Sequence, residues 1–236
     1  YPLAKLQSEG RAETCLGLVH GVGRCLELMA GGQDVTGTGP SAAHVVTCSS
    51  ATAGSIGDSE PEALLYIPGF NTSLCYALQR LGQLLALARL PGRFKPFAFS
   101  WPGGRAVSYL SAMRACDEAE AADDLMKLLE AIRANGITKV HVLSHSMGSR
   151  LFLNTLPRIL AASSPVVTGR LRLANVVLLS PDFALRTFLD TCAPSLRRLH
   201  EDFGTLTTIY GDRHDRPLRY SELFAKLFHP RSWESL

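Results

Sequence analysis

The segment "VHVLSHSMGSRLF", residues 140–152, places Ser146 between an apolar strand-like run and a helix-compatible run. A serine at a tight strand-to-helix turn exposes its hydroxyl above the end of a sheet, where it can act as an acyl-transfer nucleophile. Such a turn tolerates little bulk on either side of the serine. Gly148 meets that need, and Ser144, small but bearing a Cβ, stands where the usual pattern has its first glycine. The N-terminus of the following helix would offer unsatisfied N–H groups to a developing oxyanion. A serine here could instead do no more than cap the helix. The strand before it and the helix after it favour the nucleophile.

The chemistry needs further parts. One oxyanion donor is expected from the residue after the nucleophile and another from the loop after an earlier strand. These are Met147 and, in "YIPGFN", Phe70. A carboxylate must hold a histidine in the right tautomer and stabilise its imidazolium. Two strand ends beyond the serine supply one. Asp215 in "YGDRHD" is the first choice. Asp182 in "SPDF", which also reads as the N-cap of a following helix, is the alternative acid.

The histidine is harder to place. His20 and His44 precede the serine, the wrong order for a serine–acid–histidine sequence. His141 lies mid-strand, His145 adjoins Ser146 along the backbone, His200 precedes a late strand, and His214 shares the acid loop. His229 is the late candidate for the base, although its position at a helix end also suits a cation meeting the helix dipole. The other possibility is a histidine beyond the end of this chain.

These residues must be carried by a sheet. Residues 63–67, 96–100, 139–143, 174–180 and 206–210 are short apolar runs, with a weaker strand candidate at 44–48. Helical spacing appears between them. Residues 74, 78, 81, 85 and 88 form one apolar stripe, with Asn71, Thr72 and Ser73 as candidate N-caps. Ala122, Leu125, Leu129 and Ile132 form another, with a capping-box-like start at Asp117 and Glu120 and a left-handed stop at Gly136. Further helices are expected from Met147, around 183–190 and over 221–228. Strands without apolar–polar alternation, alternating with helices, predict an α/β fold with a mainly parallel sheet covered on both faces. Ligands bind such sheets at the carboxyl ends of the strands. The core is expected over 63–236. Residues 1–62, rich in Gly, Ser, Thr and Ala after residue 31, are expected to be a loop-rich part of the same domain or an extension of it.

Composition narrows the function classes. With 236 residues, 46% hydrophobic and 19% charged, the chain can bury a substantial core without staples. A net charge of +3 without a dense basic block gives no reason to expect a nucleic-acid partner. The six cysteines form no CxxC pair, so no metal site is expected. Scattered single thiols lean toward a reducing, cytoplasmic compartment. No apolar run reaches the roughly 18 residues of a membrane span. The first residue is tyrosine, which points to a fragment or a processed product.

With these residues in hand, the chain resembles the alpha/beta-hydrolase family of unknown function within the esterase/lipase superfamily. The resemblance runs over residues 64–228 and rests on "YIPGFNTS", "FAFSWPGG", "VHVLSHSMGSRL", "LLSPDFA" and "IYGDRHDRPLRYS", in that order. It implies a nucleophile at Ser146, acids at Asp182 and Asp215, and a histidine on a loop after a final strand. The chain shows no such histidine segment before it stops at "FHPRSWESL", so the final strand is expected to be missing. Pro68 stands where the family has a histidine in the oxyanion turn, and Ser144 where it has Ala or Gly.

The expected function is hydrolysis of a small-molecule carboxylic ester, or of a thioester or amide, by Ser146, with no cofactor. The alternatives are a catalytically incomplete module that binds or scaffolds, and a truncated enzyme lacking its histidine.

Overall fold

The structure is a computed structural model. It describes residues 60–102 and 108–211, together with the backbone of 44–47. Asp215, His229, His214 and the expected 221–228 helix lie outside the described residues, as does most of 1–62.

The elements in chain order are β1 (His44–Thr47), β2 (Glu62–Ile67), α1 (Leu74–Ala88), β3 (Phe94–Ser100), α2 (Tyr109–Asp117), α3 (Ala119–Ala134), β4 (Lys139–His145), α4 (Met147–Ile159), β5 (Arg172–Leu179), α5 (Leu185–Thr187), α6 (Ala193–Phe203) and β6 (Leu206–Tyr210). A wide π-helical turn, Phe188–Cys192, joins α5 to α6. The segment expected as a helix near 183–190 is therefore longer and runs on to Phe203.

The strands form one sheet in the order β1-β3-β2-β4-β5-β6. Strands β3, β2, β4, β5 and β6 are parallel, and β1 pairs antiparallel with β3. Part of the 1–62 segment thus joins the same sheet.

Period-two geometry divides β2 between two layers. Ala63, Leu65 and Ile67 pack in the larger core with Leu125, Leu129, Ile132, Phe152 and Leu156. Leu64 and Tyr66 face Ala77 and Leu81 of α1. All six residues of β2 are buried. This is why that strand reads as a continuous apolar run.

Local chemistry sets the helix ends. Ser73 caps α1 by accepting from the Tyr76 N–H at 3.3 Å. Ser108 and Ser111 form a reciprocal capping box at the start of α2. The expected capping box at Asp117 does not form. Asp117 is instead the last residue of α2, and α3 begins at Ala119 without a side-chain cap. Gly136, at φ 83°, ends α3 as expected.

A charged cluster closes the end of the sheet opposite Ser146. Glu62 opens β2 and Lys139 opens β4. The Glu62 carboxylate accepts from Lys139 Nζ at 2.9 Å and meets His141 Nε2 at 2.7 Å. Arg93 Nε lies 3.4 Å from it. The other ring nitrogen of His141 is 2.7 Å from the Asn175 side-chain amide. Burial opposes ionisation of Glu62, but the hydrogen bonds from Lys139 and His141 outweigh it and hold the carboxyl below its ordinary value.

Candidate active site

Strand β4 ends at His145 and α4 begins at Met147, leaving Ser146 alone in the turn at φ 52°, ψ −122°. Residues with a side chain rarely adopt this backbone, at a cost of about 1–3 kcal/mol. Neighbours on three sides hold it. The Ser146 N–H donates to Leu179 O at 2.9 Å, at the end of β5. The Ser146 carbonyl accepts from Ser149 N at 2.9 Å, Arg150 N at 3.3 Å and Asp182 N at 3.3 Å. Two of those bonds start the helix. The third fastens the loop after β5 to the serine.

The small residues explain themselves through contact. A Cβ on Gly148 would lie 2.4 Å from Ile67 O and 2.5 Å from Pro68 O. The first turn of α4 therefore passes directly over the end of β2, and no side chain fits between. Ser144 is fully buried. Its hydroxyl is 3.0 Å from Ser149 Oγ and donates to Val177 O at 3.3 Å. A polar side chain is accommodated at this position because it is satisfied there.

The turn after β2 reaches the serine. A Cβ on Gly69 would lie 3.1 Å from Ser146 Cβ and 3.0 Å from His145 Nδ1. The His145 ring thus packs under Gly69. The turn is fixed by three features. Asn71 adopts a left-handed conformation at φ 53°. Thr72 Oγ1 donates to Phe70 O at 3.3 Å. The buried Trp101 donates its indole N–H to Pro68 O at 2.7 Å. The "FSWP" motif at the end of β3 thereby braces the neighbouring strand end.

Asp182 is buried, and Tyr109 O–H donates to its Oδ2 at 2.5 Å. It is not an N-cap: α5 starts after Ala184 without a side-chain cap. The structure therefore brings Ser146, Met147, the Phe70 turn and Asp182 to one corner of the sheet. Asp215 and His229 lie outside the described residues. His141 and His200 are elsewhere: His141 is in the Glu62 cluster, and His200 Nδ1 lies 3.1 Å from Thr205 O.

Several residues around this corner gave no signal in the sequence. Arg150 forms a two-pronged ion pair with Asp117, at 3.0 and 2.8 Å, and lies over the Phe183 ring at 5.7 Å. Burial disfavours its charge, but Asp117 outweighs that, and the guanidinium is held above its ordinary value. Asn154 supports the pair by donating to Asp117 Oδ1 at 2.9 Å. Cys116 donates its thiol to Met147 O at 3.4 Å, and burial pushes that thiol up, which disfavours the thiolate.

An open groove of about 700 Å³ lies away from these residues, between α3 and the far end of α4. Its charged side chains are ion-paired, Arg158 with Asp123, Arg133 with Glu130 and Lys127 with the nearby Asp124, as on a solvated face. Among the described residues, no group of three or more His, Cys, Asp or Glu side chains could hold a metal ion. Among the same residues, no helix is long and apolar enough to cross a membrane.

The sequence profile of the family described as "Alpha/beta hydrolase of unknown function (DUF900)" matches residues 53–228. The chain belongs to this alpha/beta-hydrolase family. The match spans every described element from β2 to β6. A comparison with curated proteins finds no match.

Solved structures similar to this family member include the siderophore hydrolase EstB from Aspergillus fumigatus, at 17% identity and TM-score 0.41, covering 68% of this chain and 48% of that one. An esterase from the planctomycete Thermogutta terrifontis, Est2, shares 17% identity at TM-score 0.41, covering 73% and 60%. The Francisella virulence factor BioJ shares 14% at TM-score 0.41, covering 74% and 65%. The alpha/beta-hydrolase chain described here thus spans about half to two thirds of the length of these three proteins.

Proposed function

We propose that this alpha/beta-hydrolase family member is a serine hydrolase of carboxylic esters, with thioesters and amides as chemically related substrates. The observation that carries the reading is the backbone of Ser146, held at φ 52° in a strand-to-helix turn that touches Gly69. A strained, buttressed serine at the carboxyl end of a central strand supports a role in chemistry better than one in helix capping, since its side chain makes no cap hydrogen bond.

Ser146 Oγ attacks the ester carbonyl carbon while a histidine takes its proton. His229 is the candidate for that base within this chain. The carbonyl π electrons move onto oxygen, and the N–H groups of Met147 and Phe70 stabilise the resulting oxyanion. Collapse of the tetrahedral intermediate expels the alcohol, which receives the proton from the imidazolium. Water then hydrolyses the acyl-serine by the same steps. Asp182 orients the histidine. Its burial and its backbone bond to Ser146 O support it in that role, with Asp215 as the alternative acid.

Labelling with a fluorophosphonate probe tests this. The wild-type protein is expected to label at Ser146, and Ser146→Ala to lose the label. An unlabelled wild type would overturn the reading in favour of a catalytically incomplete binding module. Labelling that survives Ser146→Ala would show that the nucleophile is another serine.

A further inference from the structure

Tyr109 touches two parts of the proposed machinery at once. Its hydroxyl donates to Asp182 Oδ2 at 2.5 Å. Its ring meets the Phe70 ring edge to face, with centroids 6.0 Å apart and planes at 77°. Asp182 follows β5 and Phe70 follows β2, with β4 and Ser146 between them in the sheet. Tyr109 is the first residue of α2, fixed there by the Ser108–Ser111 capping box. Residue 109 therefore spans the Ser146 corner from a position held by its own helix end.

We infer that Tyr109 is a positioning residue of the serine hydrolase: its hydroxyl fixes and stabilises the Asp182 carboxylate, and its ring buttresses the Phe70 oxyanion turn. This deepens the proposed function and rests on it. A carboxylate that orients a histidine needs one oxygen for the imidazole and a donor on the other, or it rotates. Tyr109 supplies that second donor. Its hydrogen bond spreads the negative charge of the carboxylate. Arg150 on α4 and the Cys116 thiol on α2 also feel the charge of Asp182. Arg150 is engaged by Asp117, and Cys116 by Met147 O.

The hydroxyl and the ring can be separated. Tyr109→Phe keeps the ring on Phe70 and removes the donor. Without that donor the carboxylate pairs more strongly with the imidazolium, so the histidine loses its proton at higher pH. Fluorophosphonate labelling rates are measured against pH for wild type, Tyr109→Phe, Asp182→Asn and the double variant. Tyr109→Phe is expected to slow labelling about tenfold, to move the acid limb of the profile to higher pH, and to add nothing further to Asp182→Asn.

A uniform, pH-independent slowing that adds fully to Asp182→Asn would reduce Tyr109 to a packing residue and overturn the inference. So would a wild-type profile for Tyr109→Phe. Should Tyr109→Phe not fold, 3-fluorotyrosine at position 109 keeps the shape and strengthens the donor. The acid limb should then move to lower pH, and an unmoved limb overturns the inference. If the wild type does not label at Ser146, the hydrolase reading fails first and takes this one with it. Labelling at Ser146 with an indifferent Tyr109 sinks only the second.

Discussion

Gly148 and Ile67 are in backbone contact: a Cβ on Gly148 would lie 2.4 Å from the Ile67 carbonyl oxygen. Helix α4 is thus seated on the end of β2, and this seating brings the Ser146 turn against the Pro68–Gly69 turn. The small residue after the serine is required by a tertiary contact as well as by the local turn.

Gly148→Ala should therefore be severely destabilising. The obstructing atoms are the main-chain oxygens of Ile67 and Pro68, which cannot swing aside. A loss of about 3 kcal/mol or more is expected in urea or thermal unfolding. Gly82→Ala is the control: a Cβ there meets nothing within 4 Å on an exposed face of α1. That change should stabilise by about 0.5–1 kcal/mol. Equal effects at the two glycines would contradict the contact.

Trp101→Phe removes the 2.7 Å indole bond to Pro68 O while keeping most of the buried ring. It should cost about 1 kcal/mol of stability. The larger effect should fall on catalysis, because the bond fixes the turn that carries Phe70. On an ester such as p-nitrophenyl acetate, kcat is expected to fall about tenfold with little change in KM. A rise in KM alone would indicate that Trp101 serves substrate binding instead.

Glu62 makes stability depend on acid. Its carboxyl is held below its ordinary value by Lys139 and His141 despite burial, with Arg93 also facing it. A carboxyl depressed on folding contributes stability that is present above its unfolded pKa and lost as pH falls through its folded one. Urea unfolding followed from about pH 6 down to about pH 3 should show this loss. Glu62→Gln should be less stable at the upper end and show a flatter dependence. An unchanged slope would remove Glu62 as its source.

The strands, the helices α1, α3 and α4 and the corner holding Ser146 were legible in the sequence because each is written in local pattern. Apolar runs without alternation mark strands buried on both faces, and a 3.6-residue stripe marks a helix with one buried face. A serine between small residues marks a turn too tight for bulk. Where a local signal competed with a distant partner, the distant partner won. Asp117 read as a helix cap and is instead clamped by Arg150. Asp182 read as either acid or cap; it does not cap the next helix, and its carboxylate accepts from Tyr109, 73 positions away.

Sequence by itself determined the α/β architecture, the position of the serine and the need for glycine beside it. These follow from periodicity and from the space available within a few residues. Tertiary structure decided the strand order, the seating of α4 on β2, and the joining of Trp101 to Pro68 and of Tyr109 to Asp182. Those pairs meet only because the order β3-β2-β4-β5 carries remote segments to the same sheet end. No pattern along the chain records which carbonyl or carboxylate a given indole or phenol will reach once the sheet has closed that distance.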